Sequence, residues 1–287
     1  MLYLHPNYLP GAQISLNLRS CDCDDDKTAR NVQATVVKAF TPFTMSQVLL
    51  VDVNPPVPDI LPTTTTTFIL KVYDPRFLQH RQGTKSSAPH PWTLAAETTA
   101  ARRRAFGADI LYRSTWWPDD NDDPGWEEYY YLNLQQMFRN ELAAYTRLLS
   151  LQGQSIPQCY AHGTLVFPSP SKRMVVPRVL LLSYVPGPCL RAMHPSRVEP
   201  PAARALVDTV RAFGMLGVIH DDLRPDNVIL FSPSADHYRA FILDFGNARV
   251  RTDQSDEEWE CALVENDEPK LAEMMLDKLG IDYSPES

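Results

Sequence analysis

This sequence predicts an α+β chain of two lobes. Three observations carry the expectation. Residues 34–73 hold three β-rich runs in succession with no helical period between them. Residues 128–153 repeat apolar side chains at helical spacing. The second half opens with a long apolar helix and closes with another, and short polar loops lie between. The expected first lobe is a five-stranded antiparallel sheet with one helix, and the second lobe is reduced and mainly helical.

Residues 1–32 read as an N-terminal extension. The first two strands, Ala34 to Phe40 and Gln47 to Val53, flank Thr41-Pro42-Phe43-Thr44, which reads as a hairpin turn. After the proline-rich joint NPPVPDILP, TTTFILKVYD is a third strand with one lysine, Lys71, inside it. From about 74 to 127 the composition changes to that of an insertion: a loop QHRQGTKSSAPHP, a helix TLAAETTAARRRAFGADILY and a Trp- and Asp-rich loop STWWPDDNDDPGW. The Arg102-Arg103-Arg104 run is read as a solvated helix face. Trp116 and Trp117 are read as packing the insertion onto the sheet, in preference to forming a lid over an acceptor.

The helix EYYYLNLQQMFRNELAAYTRLLSLQG follows. Met137, Glu141, Tyr145 and Leu148 are spaced by four, four and three, which puts Glu141 among apolar neighbours. A carboxylate there costs several kcal/mol unless a cation meets it, and Lys71 is the candidate. CYAHGTLVF and RVLLLSYV complete the five strands. The first lobe is thus expected to span 33–185 and the second 186–287. EPPAARALVDTVRAFGMLGVIH begins with prolines suited to a first helical turn. It leads into DDLRPDN, then the short strands NVILF and AFILDFG around SPSADHY, and finally the helix PKLAEMMLDKLG.

Composition narrows the function. The chain has 287 residues, 44% of them hydrophobic, a formal charge of −8 and a pI near 5.4. That balance argues against nucleic acid or an anionic membrane as the main partner. Five scattered cysteines, no basic segment leading into an apolar run, and no apolar stretch of about 20 residues lead to the expectation of a cytoplasmic, reduced protein. CDCDDD at 21–26 reads as a solvated acidic loop, since no second Cys or His pair stands at zinc-site spacing.

His220-Asp221-Asp222-Leu223-Arg224-Pro225-Asp226-Asn227 resembles the protein-kinase catalytic loop H-R-D-L-x-x-x-N. Asp244-Phe245-Gly246 is similar to its metal-binding D-F-G, and Phe68-Ile69-Leu70-Lys71 to the strand motif V-A-I-K. The chain therefore resembles the protein-kinase-like superfamily over about residues 33–250. Within it, the Thr41-Pro42-Phe43-Thr44 hairpin and the acidic tail look most like a fungal protein-kinase-like group, and the resemblance implies a relation to aminoglycoside and choline phosphotransferases. The resemblance implies a two-lobed kinase-like fold and a phosphotransferase using ATP and Mg2+. Asp222 is implied as the base toward a hydroxyl acceptor, and Arg224 as a contact to the transferred group. Asn227 and Asp244 are implied as magnesium ligands, Lys71 as the cation on the nucleotide phosphates, and Glu141 as its orienting partner. Ser183, Tyr184 and Val185 fall where the superfamily offers backbone groups to adenine. His220 is implied to be structural.

The departures are specific. The hairpin between the first two strands contains no glycine, so backbone N–H groups approach phosphate less easily there, unless Thr41 and Thr44 hydroxyls substitute. Asp221 stands where an arginine is usual, which argues against a phosphate-switched loop. Only 41 residues follow Gly246, and no A-P-E motif appears among them. The expected activity is transfer of the γ-phosphoryl group to a hydroxyl, on a small molecule in preference to a protein. The alternatives are a kinase-shaped nucleotide-binding regulator without turnover and transfer of AMP by the same residues.

Overall fold

The computed structural model describes residues 6–21, 29–85, 88–105, 117–168, 171–234 and 237–283. They divide into two compact units, Met1–Phe138 with Tyr160–Leu182, and Arg139–Cys159 with Ser183–Ser287.

In the first unit, the strands β1 (Gln13–Ser20), β2 (Arg30–Phe40), β3 (Gln47–Asp52), β4 (Thr67–Tyr73), β5 (Cys159–Val166) and β6 (Arg178–Ser183) close into a barrel. Their order is β1-β2-β3-β4-β6-β5, with β5 returning to β1. This corrects the expected five-stranded sheet, because part of the segment read as an extension is a sixth strand. QISLNLRS alternates in period two: Ile14, Leu16 and Leu18 are buried in the barrel core. Ser15 and Asn17 face outward and bond Gln33 and Asn31 on β2 at 3.0 and 3.1 Å. On its other side β1 pairs with β5, where Leu18 lies opposite Gly163. A Cβ at Gly163 would sit 1.9 Å from the Asn17 carbonyl oxygen, so the seam closes only with glycine there.

On β4, Phe68, Leu70 and Val72 point into the core, which leaves Lys71 and Tyr73 on the outer face. Lys71 is nevertheless only 4% exposed. The Tyr73 ring meets Phe138 of α2 (Asp123–Arg147) edge-on at 5.5 Å.

The insertion, with helix α1 (Leu94–Ala105), is organised by buried ion pairs. Asp74, fully buried after β4, accepts from Arg76 at 2.7 Å, Arg173 at 3.3 Å and the Tyr8 hydroxyl at 3.2 Å. Glu97 on α1 takes the rest of the Arg173 fork at 2.7 Å, the Trp92 indole at 2.8 Å and the Met174 N–H at 2.9 Å. Burial alone would raise both carboxyls. Burial is the largest single influence at each, but Arg173 and Arg76 together outweigh it at Asp74, as Arg173, the Trp92 indole and the Met174 N–H do at Glu97, and both are held below the usual range. Arg81 forms a two-bond fork with Glu127 at 2.7 Å on each arm.

The arginine run on α1 is corrected in part. Arg102 and Arg103 are exposed, but Arg104 turns inward to pair with buried Glu128 and lies 4.0 Å over the Tyr131 ring. Burial pushes the Tyr130 phenol up to about 12, and its hydroxyl shares a hydrogen bond with His80 Nδ1 at 2.8 Å. Trp117, 55% exposed, stands edge-on to Trp126 at 5.0 Å and Tyr129 at 5.1 Å. Trp116 lies outside the described residues, as do positions 22–26 of the acidic loop.

The second unit takes over α2 at Arg139 and adds α3 (Pro200–Met215), β7 (Val218–Ile219), β8 (Val228–Ser234), β9 (His237–Ile242), β10 (Arg249–Val250), α4 (Asp256–Asn266) and α5 (Glu268–Leu279). The prolines at 200 and 201 occupy the first turn of α3, where a missing N–H costs nothing. The residues after Gly246 have room for one or two helices, of which the sequence reading placed only α5; the other is α4. It begins with a capping box, Ser255 and Glu258 each closing the other's backbone N–H, and its Trp259 indole bonds the Gly214 carbonyl at 3.0 Å. Among the described residues no helix is long and apolar enough to cross a membrane. Among the described residues, Cys21, Cys159, Cys189 and Cys261 form no disulfide.

Candidate catalytic site

Two antiparallel pairings build the site in the second unit. β7 pairs with β10, Ile219 opposite Arg249, and β8 pairs with β9, Val228 opposite Ile242. The chain leaving β7 and entering β8 is the 220–227 loop, and the chain leaving β9 and entering β10 is 243–248. The Leu243 N–H bonds the Asn227 carbonyl at 2.8 Å, so Asn227 and Asp244 lie beside each other at the end of one ladder. The sequence brings them there because NVILF and AFILDFG are apolar runs that pair.

His220 is fully buried and ties the two loops together. Its Nε2–H donates to the Leu243 carbonyl at 2.9 Å, and its Nδ1 accepts the Asp222 N–H at 3.3 Å. These two bonds fix one neutral tautomer, and the ring stacks edge-on against Phe245 at 4.9 Å. Phe245 is buried among Tyr145 on α2 and Phe213 on α3, each 5.5 Å away. Asn140 on α2 donates to the Gly246 carbonyl at 3.1 Å. The 244–246 turn is therefore held by its aromatic residue and its backbone, while Asp244 takes a left-handed conformation, φ 68°, that aspartate tolerates.

Asn227 is buried and donates its Nδ2 to Asp222 twice, to the carbonyl at 3.0 Å and to Oδ2 at 3.1 Å. Those bonds turn its Oδ1 away from Asp222. Arg224 Nε reaches Asp222 Oδ2 at 3.4 Å. Asp222 thus keeps part of its carboxylate in solvent with one oxygen engaged. The oxygen donors Asn227 Oδ1 and Asp244 fit a hard divalent cation such as magnesium, which takes few protein ligands. Among the described residues no group of three or more His, Cys, Asp or Glu side chains gathers as a metal cluster.

Asp221, also left-handed at φ 59°, pairs with Arg249 Nε at 3.0 Å and so supports the β7–β10 pairing. Asp226, which the sequence left without a role, is an exposed partner of Arg191 at 2.7 Å. The residue that sequence reasoning missed is Glu268, at the first position of α5. It is buried, and its two oxygens accept the N–H groups of His220 at 2.9 Å and Asp221 at 2.7 Å. No spacing rule links it to a loop nearly fifty residues earlier. The only local sign is an acidic residue at a helix start.

Glu141 is fully buried on the second unit's part of α2, whereas Lys71 belongs to the first unit. The Ser183 N–H and hydroxyl exchange bonds with the backbone of Gln158 at 2.8 and 2.9 Å, and Tyr184 is exposed. Val185 joins Ile229 and Phe241, with Leu243 against them, in a small apolar cluster. Gly187, at φ 130°, lets the following turn pass close over Ile229.

No protein-family model matches the chain. Among solved structures it is similar to the Rio2 kinase–ADP/Mg2+–phosphoaspartate complex from Chaetomium thermophilum, at 13% identity and a TM-score of 0.46. The match covers 88% of this chain and 59% of that one. At that identity and TM-score the similarity assigns no ligand and no activity to this chain.

Proposed function

We propose that the protein is an ATP- and magnesium-dependent phosphotransferase acting on a hydroxyl, with small-molecule acceptors placed ahead of proteins. The observation that supports this most is the paired arrangement of Asp222, Asn227 and Asp244 around one strand ladder, with Asn227 bonded to Asp222 at 3.1 Å. A plain polar turn has no need of a carboxylate about a quarter exposed whose neighbour's amide oxygen faces away from it. The kinase-like motifs at 68–71, 220–227 and 244–246 supply the rest of the reading.

In this mechanism Asp222 accepts the proton of the acceptor hydroxyl as that oxygen bonds to the γ-phosphorus. The bond to the β–γ bridging oxygen breaks, and ADP departs carrying the electron pair. Asn227 and Asp244 would hold magnesium, which when bound would neutralise charge on the phosphate oxygens. Arg224 shares Asp222 Oδ2 in the resting site and contacts the transferred group. Lys71 supplies positive charge to the α- and β-phosphates, and Glu141 orients it. The backbone of 183–185 and the apolar cluster at Val185, Ile229 and Phe241 receive the base.

The glycine-free turn between β2 and β3 favours a second reading, a nucleotide-binding regulator without turnover. Thermal shift and ATP turnover with magnesium separate the two. Asp222→Asn should keep the magnesium–nucleotide stabilisation and lose turnover by about 10²–10⁴-fold, whereas Asp244→Asn should lose the magnesium-dependent part of the stabilisation. Absence of any magnesium-dependent nucleotide stabilisation in the wild type sinks the phosphotransferase reading. Stabilisation without turnover, across both small-molecule and protein acceptors, favours the regulator.

A further inference from the structure

A cleft of about 320 Å³ opens in the second unit between the end of α3 and the helices α4 and α5. Gly214, Met215, Ile219, Leu263 and Val264 line it on the apolar side. Leu263 packs directly over Gly214, where a Cβ would stand 2.9 Å from its Cδ2. At the mouth, Met215 and Val264 are 76% and 79% exposed, an unusual cost for two large apolar side chains at one opening. The floor reaches Ile219 and Glu268, the residues that lead into and hold the 220–227 loop.

Carboxylates outnumber cations around the cleft, although Arg147 bonds the Leu216 carbonyl at 2.8 Å beside its mouth and Arg251 pairs with Asp256 of α4. Between Asp253 and Lys278 the sequence has ten carboxylates against two lysines, Lys270 and Lys278, so this segment alone carries the −8 of the whole chain. Arg211, the cation on the cleft's rim, is already paired with Asp208 at 2.8 Å. An apolar slot bounded by helices and set in a negative field suits an amphipathic helix with a basic outer face. A second copy of this chain would bring the same negative segment against itself.

We propose that this cleft is a docking surface for a basic amphipathic helix of a partner protein. Its apolar side chains enter between Met215 and Val264, and its lysines or arginines face the α4–α5 carboxylates. Because Glu268 is shared between the cleft and the loop amides, occupation steadies the 220–227 loop. The proposal stands whether or not the loop performs phosphoryl transfer.

The test uses the full chain and a model helical peptide of about 18 residues, leucine on one face and lysine on the other. Calorimetry compares it with a peptide carrying glutamate in place of lysine and with one whose leucine face is scrambled. Met215→Gln/Val264→Ser is the variant, both side chains being solvent-exposed, and its unfolding midpoint is checked against wild type. The leucine–lysine peptide should bind, weaken with salt, lose at least about tenfold in affinity in the variant, and slow exchange of the His220 and Asp221 amides. Equal binding by the glutamate or scrambled peptide, equal binding by the variant, or no binding overturns the proposal. So does a concentration-dependent dimer that the variant abolishes, which would place a second copy in the cleft, or displacement of the peptide by decanoate at equal concentration, which would make it an acyl site.

Discussion

Replacing Glu268 with glutamine tests whether one side chain outside the kinase-like motifs sets the shape of the loop that carries Asp222. The wild-type carboxylate accepts two N–H groups, from His220 at 2.9 Å and Asp221 at 2.7 Å, and it is buried. Each is a charge-assisted bond worth roughly 1.5–3 kcal/mol. Glutamine keeps one oxygen and presents an NH2 to the other N–H, so one bond is lost and a donor faces a donor. Asp221 is also held at φ 59°, a conformation that costs about 1 kcal/mol for a non-glycine residue and relies on its partners. We therefore expect Glu268→Gln to weaken the loop locally by about 2–4 kcal/mol, which accelerates exchange of the two amides by about 30- to 1000-fold. Native-state hydrogen exchange resolved to residues 218–224 measures this directly. Glu260→Gln, on exposed surface of α4, is the control. Unchanged exchange at both amides in Glu268→Gln, with the control also unchanged, refutes the anchoring role.

Gly163→Ala should break the β1–β5 seam, because the added Cβ would sit 1.9 Å from backbone. A loss of about 3 kcal/mol or more in urea unfolding is expected, and a loss below 1 kcal/mol would mean that the barrel is not closed there. Arg173→Ala leaves Asp74 and Glu97 buried with one cation fewer and should cost about 3–5 kcal/mol. Arg173→Lys should recover little, since an ammonium cannot fork between two carboxylates, and full recovery by lysine would contradict that geometry. Asp74 and Glu97 have folded pKa values below their unfolded ones, so their contribution to stability is complete above the unfolded range near pH 4 and is lost as pH falls through the folded values. Urea midpoints between pH 6 and pH 3 should fall more steeply for the wild type than for Asp74→Asn with Glu97→Gln; parallel slopes would refute the assignment. Asp221→Ala should free Arg249 and weaken the β7–β10 pairing by about 1 kcal/mol or less, because both side chains are partly exposed, which a thermal-unfolding midpoint measures.

Much of this fold was legible in local pattern. β2 to β6, α2, α3 and α5 stand where period-two and helical spacing put them, because each buries one face and its sequence records which. β1 carried the same signal in Ile14, Leu16 and Leu18 and was passed over as an extension. α4 carried one in Ser255 and Glu258. Barrel closure was not legible in the same way: it depends on Gly163 meeting Asn17, a close approach between residues far apart in the chain that no single-segment pattern encodes. Within the site, the 220–227 and 244–246 loops were found because their polar residues interrupt apolar strands at fixed separations. Glu268 and Arg173 were missed because their partners are backbone amides and buried carboxylates brought near only by tertiary folding.

Arg173 has a bearing on the order in which the chain is made. It lies 99 residues beyond Asp74 and 76 beyond Glu97, the two acids it neutralises. A nascent chain that has emerged only as far as α2 therefore holds Asp74 with Arg76 alone and Glu97 without Arg173, so the complete ion-pair arrangement waits for the β5–β6 connection. The insertion is thus a late-docking segment by sequence distance alone, and a chain truncated before residue 173 should show protease-sensitive cleavage within 74–105 that the full chain resists.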